Sequence, residues 1–152
     1  MKIICYAVIF CSLVSGILTS SAKAQDIVVR DGYVRETIPG TKVSSAYMTV
    51  KNNSEKVLTL TGASSDVSKR IEIHEHIMAD GMMRMQQRQS LIIKAHGEVV
   101  LQPSGFHLMI FDLEQSLKHK DTISVTLHFS DQDDLIIQLP VQSIKKMQNH
   151  HH

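Results

Sequence analysis

The sequence predicts an all-β domain, an antiparallel sandwich or barrel of Greek-key type. Three observations carry that prediction. Apolar and polar residues alternate with a period of two in short runs, clusters of Gly, Pro, Asn, Asp or Ser separate the runs at roughly ten-residue spacing, and no segment keeps a helical period over three turns. Eight to ten such runs, rich in β-branched residues, suit a two-layer β fold.

The runs follow in order. DIVVRDGYVRETIPG opens the series and stops at Pro39-Gly40. SAYMTVKNNS sets Ala46, Met48 and Val50 against Tyr47 and Thr49, and ends at Asn52-Asn53-Ser54. KVLTLTGASS alternates Val57 and Thr59 with Leu58 and Leu60. RIEIHEHIM closes at Asp80-Gly81, a strong hairpin signal, and MMRMQQR returns from it. SLIIKAHGEVVLQPSG holds two short apolar runs around Ala95-His96-Gly97. FHLMIFDL precedes the polar connection EQSLKHK, and TISVTLHF and LIIQLPV, joined by SDQDD, complete the set. No repeat or linker divides them, so residues 25–142 read as one domain.

The two ends read differently. Residues 1–24 form a secretory signal: Lys2, an apolar run from Ile3 to about Leu18, and an A-x-A cleavage motif at Ala22-Lys23-Ala24. The run is short for a spanning helix, so the mature chain is expected to carry no membrane span. Cleavage after Ala24 removes both cysteines, Cys5 and Cys11, and with them any disulfide or thiolate ligand. Residues 143–152 read as a flexible His-containing tail.

Composition and spacing exclude several functions. Lys and Arg number 16 against 15 Asp and Glu, scattered among one another and without Trp, which gives no nucleic-acid footprint. No Ser-His-Asp set or carboxylate pair stands at useful spacing, so the chain reads as a non-enzyme.

The stretch IEIHEHIMADGMMRMQQ is the chemically unusual one. Side chains on a strand alternate between faces. Ile71, Ile73, Glu75 and Ile77 therefore share the core face, and Glu72, His74, His76 and Met78 the other. A hairpin at Asp80-Gly81 pairs Ala79 with Met82, Met78 with Met83 and His76 with Met85. Met83 and Met85 then join the histidine face, with Met85 diagonal to His74, and Met82 projects away. His107 and Met109 repeat the pattern opposite Phe106, Leu108 and Ile110. Two segments that each offer imidazole and thioether off the core suggest one shared ion. Without carboxylate or thiolate, that donor chemistry suits Cu(I) rather than Ca, Mg, Mn or Zn.

At this point the chain resembles a known family, the periplasmic PCuAC copper chaperones. The family signature is His (or Met), ten residues, Met, twenty-one residues, then H-x-M. Here His74 is followed by ten residues and Met85, and twenty-one more lead to His107-Leu108-Met109. The flanks SSAYMTVKNNS, IEIHEHIMADGMMRMQ and LQPSGFHLMIFDLEQSLKHKDTISVTLHFSD are similar as well, so the likeness spans about residues 26–140. It implies a cupredoxin-like sandwich holding one Cu(I) through His74, Met85, His107 and Met109 at an exposed end. It implies copper delivery in the periplasm toward the CuA centre of cytochrome c oxidase subunit II, with Sco-type thiol proteins among the recipients; the chain itself is expected to be a monomer that passes copper by ligand exchange. Some members hold a second copper, Cu(II), on a Met/His-rich tail, to which Met147 and His150, His151 and His152 would correspond.

Three alternatives stand beside this reading. Periplasmic copper storage or tolerance shares the site and differs in the recipient. An electron-transfer cupredoxin would need a Cys ligand that the mature chain lacks. A plain protein-binding sandwich would have no metal affinity. His76, Met78 and Met83 are open as additional ligands, whereas His96, His119 and His128 stand alone among turn or strand residues and are not expected to ligate.

Overall fold

The computed structural model describes residues 26–143, so the signal segment and the tail lie outside the described residues. Ten strands follow one another: β1 (Ile27–Arg35), β2 (Ser44–Asn52), β3 (Leu58–Ser64), β4 (Arg70–Ala79), β5 (Met82–Arg88), β6 (Leu91–Ile93), β7 (Glu98–Leu101), β8 (Phe106–Phe111), β9 (Thr122–Phe129) and β10 (Leu135–Gln142). Among the described residues no helix is long and apolar enough to cross a membrane.

The strands run in the order β5-β4-β8-β7-β2-β1-β10-β9-β3-β6. The first six make one layer and the last four the other, joined where β1 pairs in parallel with β10 at Val34–Val141 and Arg35–Gln142. The β7–β8 pairing is also parallel, and the remaining pairings are antiparallel. Alternation built the core between the layers. Ala46, Met48 and Val50 of β2 and Leu108 and Ile110 of β8 meet Leu58 and Leu60 of β3, Val125 and Leu127 of β9 and Leu139 of β10, all buried.

Two local devices make this closure possible. The register of β1 shifts between Arg30 and Tyr33, where Asp31 takes a left-handed φ of 54°. A Cβ on the adjacent Gly32 would stand 2.5 Å from Leu139 Cδ2, so glycine lets β1 approach β10 at the seam. Asn52, which the sequence reading treats as a stop signal, is a fully buried end of β2. Its amide nitrogen donates to the carbonyls of Lys56, Ile93 and Lys94, and its oxygen accepts from the Ser54 backbone and hydroxyl, which fastens the β2–β3 turn to the end of β6.

Candidate metal centre

β4 lies between β5 and β8, and its polar face forms the middle row of the site. In register, Glu72 lies opposite Met109 and His74 opposite His107 on β8. On the other side, His76 lies opposite Met85 and Met78 opposite Met83 on β5. The hairpin register is the one that Asp80-Gly81 predicts. Both turn residues have positive φ, 54° and 75°, as a two-residue turn that follows the strand twist requires. His74 and His107 are thus a direct cross-strand pair, and Met109 on β8 and Met85 on β5 are diagonal neighbours of His74 on its two flanks.

The imidazoles are oriented by groups that only accept hydrogen bonds. His74 Nε2 lies 2.8 Å from Glu72 Oε2, so it carries the proton and donates it. Its Nδ1 is left with a buried lone pair and no hydrogen-bond partner among the described residues. His107 is turned the other way: Nδ1 donates to the Gly105 carbonyl at 3.0 Å, leaving Nε2 as the lone-pair nitrogen. That carbonyl also accepts the His76 backbone N–H at 3.2 Å, tying the loop before β8 to β4. A buried lone pair without a donor is costly in a finished core and is what a metal-ligating nitrogen presents before its ion arrives.

The rings are close together. The His74 and His107 centroids are 6.1 Å apart, and His76 stacks on His107 at 4.8 Å. His76 Nδ1 is likewise buried and unpartnered among the described residues. Behind them, Tyr47 lies 6.2 Å from the His107 ring, with Arg35 over its own ring at 5.3 Å. Ser45 Oγ donates to Met109 Sδ at 3.5 Å and holds that thioether in place. Arg70 reaches Glu72 and Asp112 while lying over the Phe111 ring, so the carboxylate that orients His74 is itself anchored.

Within the cluster, burial differs from the sequence expectation at His107. His107 was expected on a non-core face, yet it is only 2% exposed. The cover comes from β2: Tyr47 sits on the second side of that strand and closes over the ring. This face of the sheet therefore grades from buried His107, through half-buried His74, His76 and Met109, to exposed Met85 and, beyond it toward the turn, exposed Met83 and Met78. Burial pushes the His107 imidazole below its ordinary pKa, opposed by the hydrogen bond to Gly105 and helped by His76, His74 and Arg35.

The surrounding exceptions also find reasons. Glu75, the acid on the apolar face of β4, pairs with Arg88 of β5. Met82 projects away from the site and is exposed. His96 pairs with Glu55, and His128 lies between Asp134 and Ser64, all away from the cluster. Among the described residues no three His, Cys, Asp or Glu side chains are placed to hold a metal by themselves, so a metal here would need the thioethers. Sequence reasoning overlooked Gly105, Ser45, Tyr47 and Arg35, whose roles depend on which strand lies across the sheet.

Comparison with known proteins agrees with this architecture. The LpqE-like lipoprotein family matches residues 27–141. The protein Lxx21020 of Leifsonia xyli subsp. xyli, which carries a lipoprotein name, is 30% identical over 125 residues, covering 82% of this chain and 74% of its own length. The solution structure of the Cu(I) form of DR1885 from Deinococcus radiodurans is 28% identical, with a TM-score of 0.65 over 81% of this chain and 83% of that one. The copper-bound PCuAC domain of PmoF2 is 18% identical and shares the fold, with a TM-score of 0.67 over 78% of this chain and 94% of that one. The all-β, cupredoxin-like sandwich and the match along nearly the whole described chain place this protein in the LpqE-like family, which is the PCuAC-type family.

Proposed function

We propose that this chain is a secreted copper chaperone that holds one Cu(I) through His74, Met85, His107 and Met109. The observation that carries the reading is the His74–His107 pair, whose lone-pair nitrogens are freed by Glu72 and Gly105 and flanked by diagonal thioethers. The relatedness to DR1885, solved with Cu(I), supports the choice of ion. Neutral imidazole and thioether match Cu(I) in softness, and the thioethers need lose no proton to bind.

The arrangement suits transfer. His107 and Met109 are anchored in β8, while Met85 sits on the edge strand and is 47% exposed. Met85 is then the first ligand for a partner to displace, and copper passes through a shared intermediate with no covalent step. The compartment is the periplasm, and the recipient is the CuA centre of cytochrome c oxidase subunit II, reached with a Sco-type thiol protein. A second copper, as Cu(II), would belong to the tail histidines.

The test is a Cu(I) titration of the mature chain against a competing chromophoric chelator. The expected outcome is one tightly held equivalent, lost in His107→Ala/Met109→Ala. Failure of the wild type to compete would leave a secreted sandwich without copper affinity. The recipient is tested separately, by transfer to the purified CuA domain and to the Sco-type protein.

A further inference from the structure

The β4–β5 hairpin carries more exposed methionine than packing explains. Met78 is 68% exposed, Met83 57% and Met85 47%. A methionine ordinarily fills gaps in a core, and these fill none. They are also segregated. Met78, Met83 and Met85 share the face of His76 and His74, while the opposite face carries a single exposed methionine, Met82, among Glu75 paired with Arg88, and Arg84, which reaches Asp80 near the turn.

The register stacks these groups as rungs. Met78 faces Met83 at the rung next to the turn, His76 faces Met85 at the next, and His74 aligns with His107 beyond it. Directly opposed side chains have Cβ atoms about 5 Å apart, so two flexible thioethers can converge on an ion between them. Successive same-face rungs are about 7 Å apart, a step that long side chains can bridge. His76 supplies a buried Nδ1, unpartnered among the described residues, midway along the path.

We propose that Met78 and Met83, with His76, form a second and weaker Cu(I) site at the hairpin tip, through which copper enters and leaves the inner site of His74, Met85, His107 and Met109. The inference rests on the copper reading above. An ion at the tip is held by thioethers in water and is open to a partner's ligands. Replacing one thioether at a time with His76 and then His74 moves the ion inward without leaving it bare. No redox change is involved: Cu(I) stays Cu(I), and each bond formed matches one broken.

The experiment is an anaerobic Cu(I) titration of the mature chain carrying 13C-methyl methionine, followed by NMR and by the rate of Cu(I) transfer to a chelator. In wild type the first equivalent is expected to shift the Met85 and Met109 methyls, and the second the Met78 and Met83 methyls. Met78→Leu/Met83→Leu, close in volume, should lose the second equivalent, keep the first affinity and release copper roughly fivefold or more slowly. His107→Ala/Met109→Ala should lose the tight equivalent while Cu(I) still shifts the Met78 and Met83 methyls, which separates failure of the inner site from failure of the tip. Met78 and Met83 methyls that stay unmoved to two equivalents overturn the proposal, as does a transfer rate equal to wild type in the leucine variant. The first of these outcomes would assign the methionines to contact with another protein instead.

Discussion

Glu72 shows how one side chain sets the chemistry of its neighbour. Its carboxylate holds the His74 proton on Nε2 and leaves Nδ1 as the nitrogen with no hydrogen-bond partner among the described residues. Glu72→Leu is expected to weaken Cu(I) binding about tenfold, with Glu72→Gln closer to wild type because its amide oxygen still accepts. Chelator competition measures the affinity, and long-range proton–nitrogen NMR of the copper-free protein should show His74 losing its single tautomer in the leucine variant only. Retention of both would show that Glu72 does not position the ring. Asn52→Ala tests a purely structural hub. Three carbonyls lose their shared donor, and a loss of about 2–3 kcal/mol is expected in urea unfolding. At this scale the sequence reading reached which side of a strand His74, Met85, His107 and Met109 occupy, because alternation encodes side. It did not reach Glu72's grip, the double use of the Gly105 carbonyl or the burial of His107, because each depends on a neighbour distant in sequence.

The hairpin is the element on which the placement of the exposed methionines depends. Its register was legible because Asp80-Gly81 leaves one economical way to turn, and that turn sets every pair from Ala79–Met82 to Ile73–Arg88. The pairing of β4 with β8 was not legible, since no local signal links segments separated by β5, β6 and β7. Gly81 has φ 75° and open space around its missing Cβ, so only backbone strain opposes a side chain there. Gly81→Val is expected to cost about 1–2 kcal/mol. The cost should fall on β5, an edge strand, so amide exchange from Met82 to Arg88 should speed up more than in β8. Uniform acceleration across both strands would show that the hairpin does not open independently.

Across the whole molecule, the all-β class and the strand count were readable from period and punctuation, whereas the parallel seam between β1 and β10 was not. The seam depends on the bulge at Asp31 and Gly32, whose effect appears only when the two layers meet. The buried His107 makes global stability depend on pH. Its lowered pKa means that the unfolded chain binds more protons than the folded one below about 6.5, so stability rises with pH through that window. The contribution is present in full above that value and is lost as pH falls toward the lower, folded pKa. Urea unfolding of the copper-free protein at pH 7.5, 6.0 and 5.0 should show this decline, and His107→Gln should have a shallower one. Equal slopes would place the acid sensitivity in other groups.

His74 and His107 face each other across β4 and β8, yet three intervening strands separate them along the chain. Closing that span has an entropic cost that only the assembled sandwich offsets. An unfolded chain thus has scattered donors and no shared pocket. On the proposed copper reading, loading begins when β4 and β8 zip together, which would make folding the clock that decides when the protein can first compete for copper.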